Sequence, residues 1–496
     1  MIKLSSINII LGSFLMKKFI LFICVFVISV TSFGCKNNNE NELNLYEINI
    51  TLNEDMTADC RLILNYKNNI ENLDYLLFNL YPNAFMEGGS LPVYPEYHFK
   101  AYPNGLSYGG IDIIKVVADG KEREIDYLTE AKTHLKVQFE KPLKKGEEKQ
   151  VYIDFKLKIP NLNHRFGYGE NTINLTGFYP ILCVYENGEY YKNQYYPSGD
   201  PFYSNCANYK VSITLPSTYV VASSLSPTAT KISLSTTKYE YQRNCVRDIA
   251  FVLSKNFNVK KQTVGDVSVY YYYFNDKTPD NSLDTAIKNI NYFSQEFIDY
   301  PYQEYVVCEA DFIYGGMEYP CLSMIDCTLK DFDRDYCITH ETAHQWWYGI
   351  VGVNQVEESY IDEGLTEYST LMFFDEHKEY GYMKTQLLNS AKSAYIEIRK
   401  SLVDDKESST VMKKSLKEFK SDMDYVSIAY YRSQIMFDDL FENMGSQKFK
   451  KFLKEIIKRH KYQTLNTESL LQMAKKIKKG SDNLLENYLN GRVDIR

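Results

Sequence analysis

Between residues 274 and 283 the apolar residues of this chain change their period, and the change divides what its two halves can fold into. From about residue 43 to 260 they recur at every second position. Tyr46, Ile48, Ile50 and Leu52 alternate with polar neighbours, as do Val151, Ile153, Phe155, Leu157 and Ile159. Leu135, Val137 and Phe139, and then Tyr209, Val211, Ile213 and Leu215, do the same. Successive side chains of a strand point to opposite faces, so the pattern predicts a large antiparallel β-rich domain with one face buried. Asp119-Gly120, between two such runs, is a short-hairpin signal. After a last strand-like run from Val267 to Phe274, Leu283, Ala286, Ile287, Ile290, Phe293 and Phe297 follow helical spacing, with Asn281 or Ser282 as the expected N-cap. Tyr305 to Cys308 reads as a short apolar strand, and helical segments dominate from there to the end, with a loop near 404–424. The expected class is α+β, with a β-rich domain over 36–262, a mainly helical domain over 263–445 and a helical tail over 446–496.

Within the helical half, residues 339–368 carry the chemistry. His340-Glu341-Thr342-Ala343-His344 is followed, after eighteen intervening residues, by Glu363. On a helix, His340 and His344 lie four apart and share a face, where two imidazoles can hold one ion. Glu341 projects beside them, placed to take a proton from an attacking water without being a ligand. Glu363, in a second helix-like segment, would supply the third ligand. Two histidines and a carboxylate leave a fourth tetrahedral position open, the arrangement of hydrolytic zinc, and a closed structural site would not. The chain has only seven His, so two at ligand spacing around a Glu weigh against coincidence.

Composition narrows the partners. A net charge of −8 and the lack of a basic stripe with interleaved aromatics argue against nucleic acid. Ten Cys form no CxxC pair, which argues against a cysteine zinc site, and they read as buried thiols, with Cys206–Cys245 or Cys321–Cys327 as conceivable pairs outside the cell. Residues 1–35 read as a targeting segment. Lys17 and Lys18 precede an apolar run from Phe19 to Val30, too short to span a membrane comfortably and suited to a signal peptide. Met16 offers an alternative start. Ser32-Phe33-Gly34-Cys35 resembles a bacterial lipoprotein lipobox with Ser in place of its usual Leu, and an Asn-rich polar stretch to Asn44 follows as a tether would. The expectation is an exported protein lipidated on Cys35 and anchored to the extracytoplasmic face of the cell membrane; plain secretion and an uncleaved anchor are the alternatives.

Three further features flank the metal motif. Gly315-Gly316-Met317-Glu318 follows a predicted strand, where glycines let a ligand approach the backbone and a strand edge can hydrogen-bond an extended peptide. A carboxylate at that edge can hold a peptide's free α-amine; a turn with a surface Glu is the plain alternative. Tyr430, with Tyr431 beside it, precedes the helical run from Ile435 to Met444, and a phenol near a polarised carbonyl can stabilise an oxyanion. Glu367, one turn after Glu363, would accept the free N–H of a ligating His if it were not simply a surface residue.

Taken together, these motifs resemble the gluzincin aminopeptidases of the aminopeptidase N family, in a short bacterial form. The resemblance implies a β-saddle domain before a thermolysin-like catalytic domain. It makes His340, His344 and Glu363 the ligands of one Zn2+ and Glu341 the general base. Gly315-Gly316-Met317-Glu318-Tyr319 aligns with the family's GxMEN motif, with Tyr319 in place of Asn, so Glu318 would bind the amine of a peptide with a free N-terminus. The stretch from Tyr430 aligns with the family's YEKG pattern, with Arg432 and Ser433 replacing Lys and Gly; Tyr430 becomes the oxyanion residue and Tyr431 the runner-up. A zinc endopeptidase and a catalytically silent surface binding module remain the competing functions.

Overall fold

The structure, a computed structural model, describes residues 43–402 and 409–495. The targeting segment, Cys35 and part of the loop near 404–424 lie outside them.

The alternation in the first half becomes an eight-stranded sheet. Its spatial order is Ser226–Ile232, Thr236–Val246, Ala207–Pro216, Leu45–Leu52, Thr57–Lys67, Glu148–Lys158, Gly110–Ala118 and Lys121–Arg123. Tyr46, Ile48, Ile50 and Leu52 are all buried while the residues between them face outward. The pairings are antiparallel except one: Leu45–Leu52 runs parallel to Ala207–Pro216. These strands are distant in sequence, so no hairpin turn constrains their direction. Asp119 and Gly120, both at positive φ, turn Gly110–Ala118 back onto Lys121–Arg123, as a two-residue hairpin requires. Two four-stranded sheets, built around Thr172–Thr176 with Ala250–Ser254 and around Leu73–Asn79 with His134–Leu143, and a two-stranded ribbon of Tyr185–Glu186 with Glu189–Tyr190 complete the β-rich part.

A separate five-stranded sheet begins the second half, in the order Asn258–Val264, Val267–Tyr273, Glu304–Ala310, Leu322–Asp326, Gly316–Tyr319. Its first strand straddles the division expected at 262/263, because the hairpin Asn258–Tyr273 belongs wholly to this sheet. The following helix spans Pro279–Glu296. Its N-cap is Thr278, not Asn281 or Ser282: Pro279 at the first helical position is already set at helical φ. The Asp276 carboxylate holds the turn by accepting from the Thr278 N–H at 2.7 Å and from Ser282 Oγ at 2.6 Å.

Gly316–Tyr319 is the edge strand and pairs only with Leu322–Asp326. Behind it lie the motif helix Asp331–Ala343 and the long helix Gln355–Glu376, which is broken at Glu358. The residues expected as a tail form helices Ser446–His460, Thr467–Ile477 and Ser481–Leu489, and Phe449, Phe452, Ile456 and Ile457 pack into the same core. This segment also braces the loop after the motif helix: Gly352 N–H donates to Gln463 O, and Leu465 N–H to Gly352 O. None of the eight cysteines among the described residues is in a disulfide, so Cys206 is not bridged to Cys245 nor Cys321 to Cys327. No helix among the described residues is long and apolar enough to cross a membrane.

Candidate active site

A cleft of about 430 Å³ opens where the edge strand, the motif helix and the β-rich part meet. His340 and Glu341 are on the last turn of Asp331–Ala343, and His344 is its C-cap, still at helical φ/ψ. The chain then turns through Gln345–Asn354 and enters the long helix, capped by the Asn354 side chain. Arg247, from the β-rich part, holds that turn by donating to Tyr348 O at 3.0 Å and to Gln463 O at 2.6 Å. Glu363 is thereby returned to the two histidines.

The geometry of the three is that of a cation site. His340 Nε2 and His344 Nε2 are 3.0 Å apart, and Glu363 Oε2 lies 3.4 Å from each. Glu363 Oε2 is buried without a hydrogen-bond partner. The orientation of each imidazole is set from behind. His344 Nδ1 is 3.0 Å from Asp362 Oδ1, and Trp347 O and Thr366 Oγ1 are equally near. Three oxygens around Nδ1 place its proton there, so Nε2 presents its lone pair inward. His340 Nδ1 lies 3.0 Å from Glu367 Oε1, while Glu367 Oε2 accepts from Tyr336 Oη at 2.6 Å and Gln434 Nε2 at 2.7 Å. Glu367 is therefore not a surface residue; it is buried behind a histidine.

Charge balance points the same way. Burial disfavours protonated His340, yet Glu363 and Glu367 beside it outweigh burial and lift it to about 10. Burial would raise Glu363, and the two imidazoles hold it below the usual carboxylate range instead. Burial pushes Glu341 up to about 8, the imidazoles pulling the other way while Glu318 and Glu363 add to the rise. Several acids buried around two imidazoles draw in positive charge, and a dication supplies it best. The donor set of two imidazole nitrogens and one carboxylate fits zinc.

Glu341 faces the edge strand at very close range: a Cβ on Gly316 would lie 2.3 Å from Glu341 Oε1. Any side chain at position 316 would therefore displace the Glu341 carboxylate. Pleating then sorts the strand, since alternate residues face opposite ways. Glu318 and Gly316 line the cleft. Met317 is 1% exposed and turned into the core, where its Sδ meets Arg165 Nε at 3.0 Å, so of this candidate substrate residue only the backbone belongs to the edge. Gly315 turns the chain into the strand at φ +83°.

Ligand-type atoms of Glu318, Glu341 and His344 all fall within 4.8 Å of one another. Gln355 Nε2 donates to Glu318 Oε1 at 2.7 Å and to Asp362 Oδ2 at 2.7 Å.

Tyr430 sits in a π-helical stretch, Ser427–Arg432, that widens the helix just before Ser433–Met444. Its ring stacks on His340 with centroids 5.9 Å apart. Gly364 makes that approach possible, since a Cβ there would lie 2.6 Å from Ser433 Cβ and wedge the two helices apart. Tyr430 lines the cleft and Tyr431 does not. Burial, with the nearby Glu363 charge, raises the Tyr430 phenol well above its ordinary range, so it keeps its proton as a donor.

Residues absent from the sequence reading complete the cleft. Tyr97, Arg165, Gly199 and Asp200 come from the β-rich part, and Asp422 and Tyr425 from the helix before Tyr430. Arg165 forms a buried ion pair with Asp200, whose carboxyl burial pushes up to about 7 against the pull of Arg165. Tyr97 Oη donates to Asp422 Oδ2 at 2.9 Å. No local pattern marks these residues. Asp362 was the findable one, because a second ligating histidine needs a partner as the first does.

Residues 281–488 match the sequence profile of the Peptidase family M1 domain. Two rice proteins, Aminopeptidase M1-D and Aminopeptidase M1-C of Oryza sativa subsp. japonica, are each 25% identical, over 284 and 203 residues. These matches take in 53% and 38% of this chain but only 32% and 22% of the rice proteins. The fold is that of an M1 zinc metallopeptidase from Deinococcus radiodurans, with a TM-score of 0.64 and 15% identity, covering 91% of this chain and 94% of that one. A variant of the Deinococcus enzyme has been solved with a Tyr-Ser-Ala substrate, and aligns here with a TM-score of 0.65 at 14% identity over 91% of this chain and 95% of that one.

Proposed function

We propose that this chain, whose residues 281–488 match the Peptidase family M1 domain, is a zinc-dependent aminopeptidase that removes N-terminal residues from peptides. His340, His344 and Glu363 would hold one zinc ion per chain. Bound there, zinc supplies Lewis acidity, polarising the scissile carbonyl and making water a better nucleophile. Glu341 takes the proton from the attacking water and passes it to the leaving amine. The Tyr430 hydroxyl donates to the carbonyl oxygen as negative charge gathers on it. Glu318 receives the substrate's ammonium, and the unpaired edge of Gly316–Tyr319 offers backbone groups to the extended peptide.

One observation carries the exopeptidase reading: the Glu318 carboxylate lies within 4.8 Å of Glu341. An α-amine and the carbonyl carbon of its own residue are about 2.5 Å apart, and the next residue begins about 3.8 Å further on. An amine held by Glu318 therefore brings the first carbonyl to Glu341, and the second lies out of reach. The rice relatives are named aminopeptidases, which agrees with this reading.

The deciding experiment compares free and N-acetylated versions of one peptide, with and without chelator. The free peptide should lose its first residue, the blocked one should resist, and chelation should abolish turnover until zinc is restored. Equal cleavage of both would make the protein an endopeptidase, and no cleavage by zinc-loaded protein would leave a binding module. Export and anchoring through Cys35 are part of the proposal on sequence grounds. Incorporation of labelled lipid into the wild type but not Cys35→Ala checks them.

A further inference from the structure

The Glu318 carboxylate and the carboxylate behind His344 are tied together by one side-chain amide. We infer that Gln355 is a positioning residue that sets the amine anchor and the orientation of a zinc-ligating histidine at once; the inference rests on the aminopeptidase reading of this site. Gln355 is the first residue of the long helix, fixed by the Asn354 cap, and is 2% exposed. Its Nε2 donates one hydrogen to Glu318 Oε1 and the other to Asp362 Oδ2, each at 2.7 Å. Asp362 Oδ1 in turn stands 3.0 Å from His344 Nδ1. An unbroken path therefore runs from Glu318 through Gln355 and Asp362 to His344.

The amide orientation is forced. Two carboxylate oxygens converge on one atom, and only the NH2 end of the amide can meet both, since its oxygen would face two acceptors. Gln355 Oε1 is left buried without a partner. A buried acceptor without a hydrogen bond is a cost the fold carries, and the two bonds made by the same amide are the return.

The neutrality of the amide matters as much as its reach. A Lys or Arg at this position would pair with Glu318 and compete with the incoming ammonium. Gln355 fixes the carboxylate by hydrogen bonding and leaves its negative charge for the substrate. Asp362, held by the same group, keeps the His344 proton on Nδ1 and its Nε2 lone pair on the metal side.

The test uses the zinc-loaded full chain with Gln355→Met, which matches the side chain in length and donates nothing. On an aminoacyl reporter KM should rise about 10-fold while kcat changes less than about 3-fold. Zinc release to a competing chelator should quicken roughly 3- to 10-fold, below the 10- to 100-fold expected for losing a direct partner of a ligating histidine. In a Glu318→Gln background the KM effect of Gln355→Met should vanish, because its route to the substrate is gone. An unchanged KM, unchanged zinc release, or an equal KM rise in the Glu318→Gln background would each overturn the inference. Should Gln355→Met fail to fold, Gln355→Asn, one methylene too short to span both acids, carries the same expectations. Zinc release needs no turnover, so an inactive wild type would end the aminopeptidase reading and still leave Gln355 to be decided.

Discussion

His340, Glu341, His344 and Glu363 come from twenty-four consecutive residues, whereas Tyr97, Arg165, Gly199 and Asp200, which close the other side of the same cleft, are spread over more than a hundred. The floor is built from neighbours. One turn of the motif helix fixes the relation of His340 to His344, and one turn of the long helix fixes Glu363 to Glu367. The wall is built from sheet packing, and its members meet only because the β-rich part docks against the edge strand. The difference separates proposed chemistry from enclosure: the candidate cation ligands and the proposed base lie on the floor, and the wall presents an already paired Arg165–Asp200 and aromatic surface. Substitutions on the floor should therefore stop turnover, while those on the wall should change what binds.

Glu341→Gln makes the sharpest break. It keeps the shape and removes the base, so kcat should fall about 10³-fold, within the span for a positioned general base. Zinc content should stay at one per chain, measured by elemental analysis. A loss of only a few-fold would move the base elsewhere and dissolve the floor as defined here. Tyr430→Phe comes next, with an expected loss of about 10²-fold in kcat for one oxyanion donor. Tyr431→Phe, off the cleft, should stay within about 2-fold. Reversed results would shift the π-helical register by one residue.

Glu318→Gln should act on selectivity more than on chemistry. A hydrogen bond to a charged group is worth about 1.5–3 kcal/mol, so kcat/KM for free peptides should fall roughly 10- to 100-fold. The acetylated peptide has no ammonium to lose, and its slow cleavage should be unaffected. If both peptides lose equally, Glu318 supports the fold of the edge strand rather than the amine.

The same contrast governs what could be read from the sequence. The convergence of His340, His344 and Glu363 was legible because helical periods convert spacing into position, whereas Glu318 stood out as an amine anchor only through the family resemblance. The 339–368 stretch announces its own geometry. The parallel pairing of Leu45–Leu52 with Ala207–Pro216 was not legible, since alternation records which face is buried and says nothing of strand direction. Met317 was taken with its neighbours as one contact surface, and pleating sends it to the far side. Glu367 was ambiguous in sequence because its burial depends on Tyr336 and Gln434, one of them 67 residues away. Gln355, Arg165 and Asp200 sit in unremarkable contexts, and only tertiary packing gives each a partner.

The wall yields the smallest expected effect and the most direct check on the division. Arg165 and Asp200 are both buried and pair with each other, and Asp200 stands on the same cleft as Glu318. Asp200→Asn leaves the Arg165 charge without its carboxylate partner on the cleft where Glu318 is proposed to receive an ammonium. Like charges several ångströms apart in a partly solvated cleft repel by about 1 kcal/mol, so KM should rise roughly 5-fold. kcat should hold, because no proton-transfer group is touched. Stability should fall too, since removing one member of a buried ion pair commonly costs about 3–5 kcal/mol, and a lower Tm would record it. Adding Arg165→Met removes the stranded charge and should return both KM and Tm toward their wild-type values. A kcat loss approaching that of Tyr430→Phe in either variant would place the wall inside the chemistry, and the separation of floor from wall would fail.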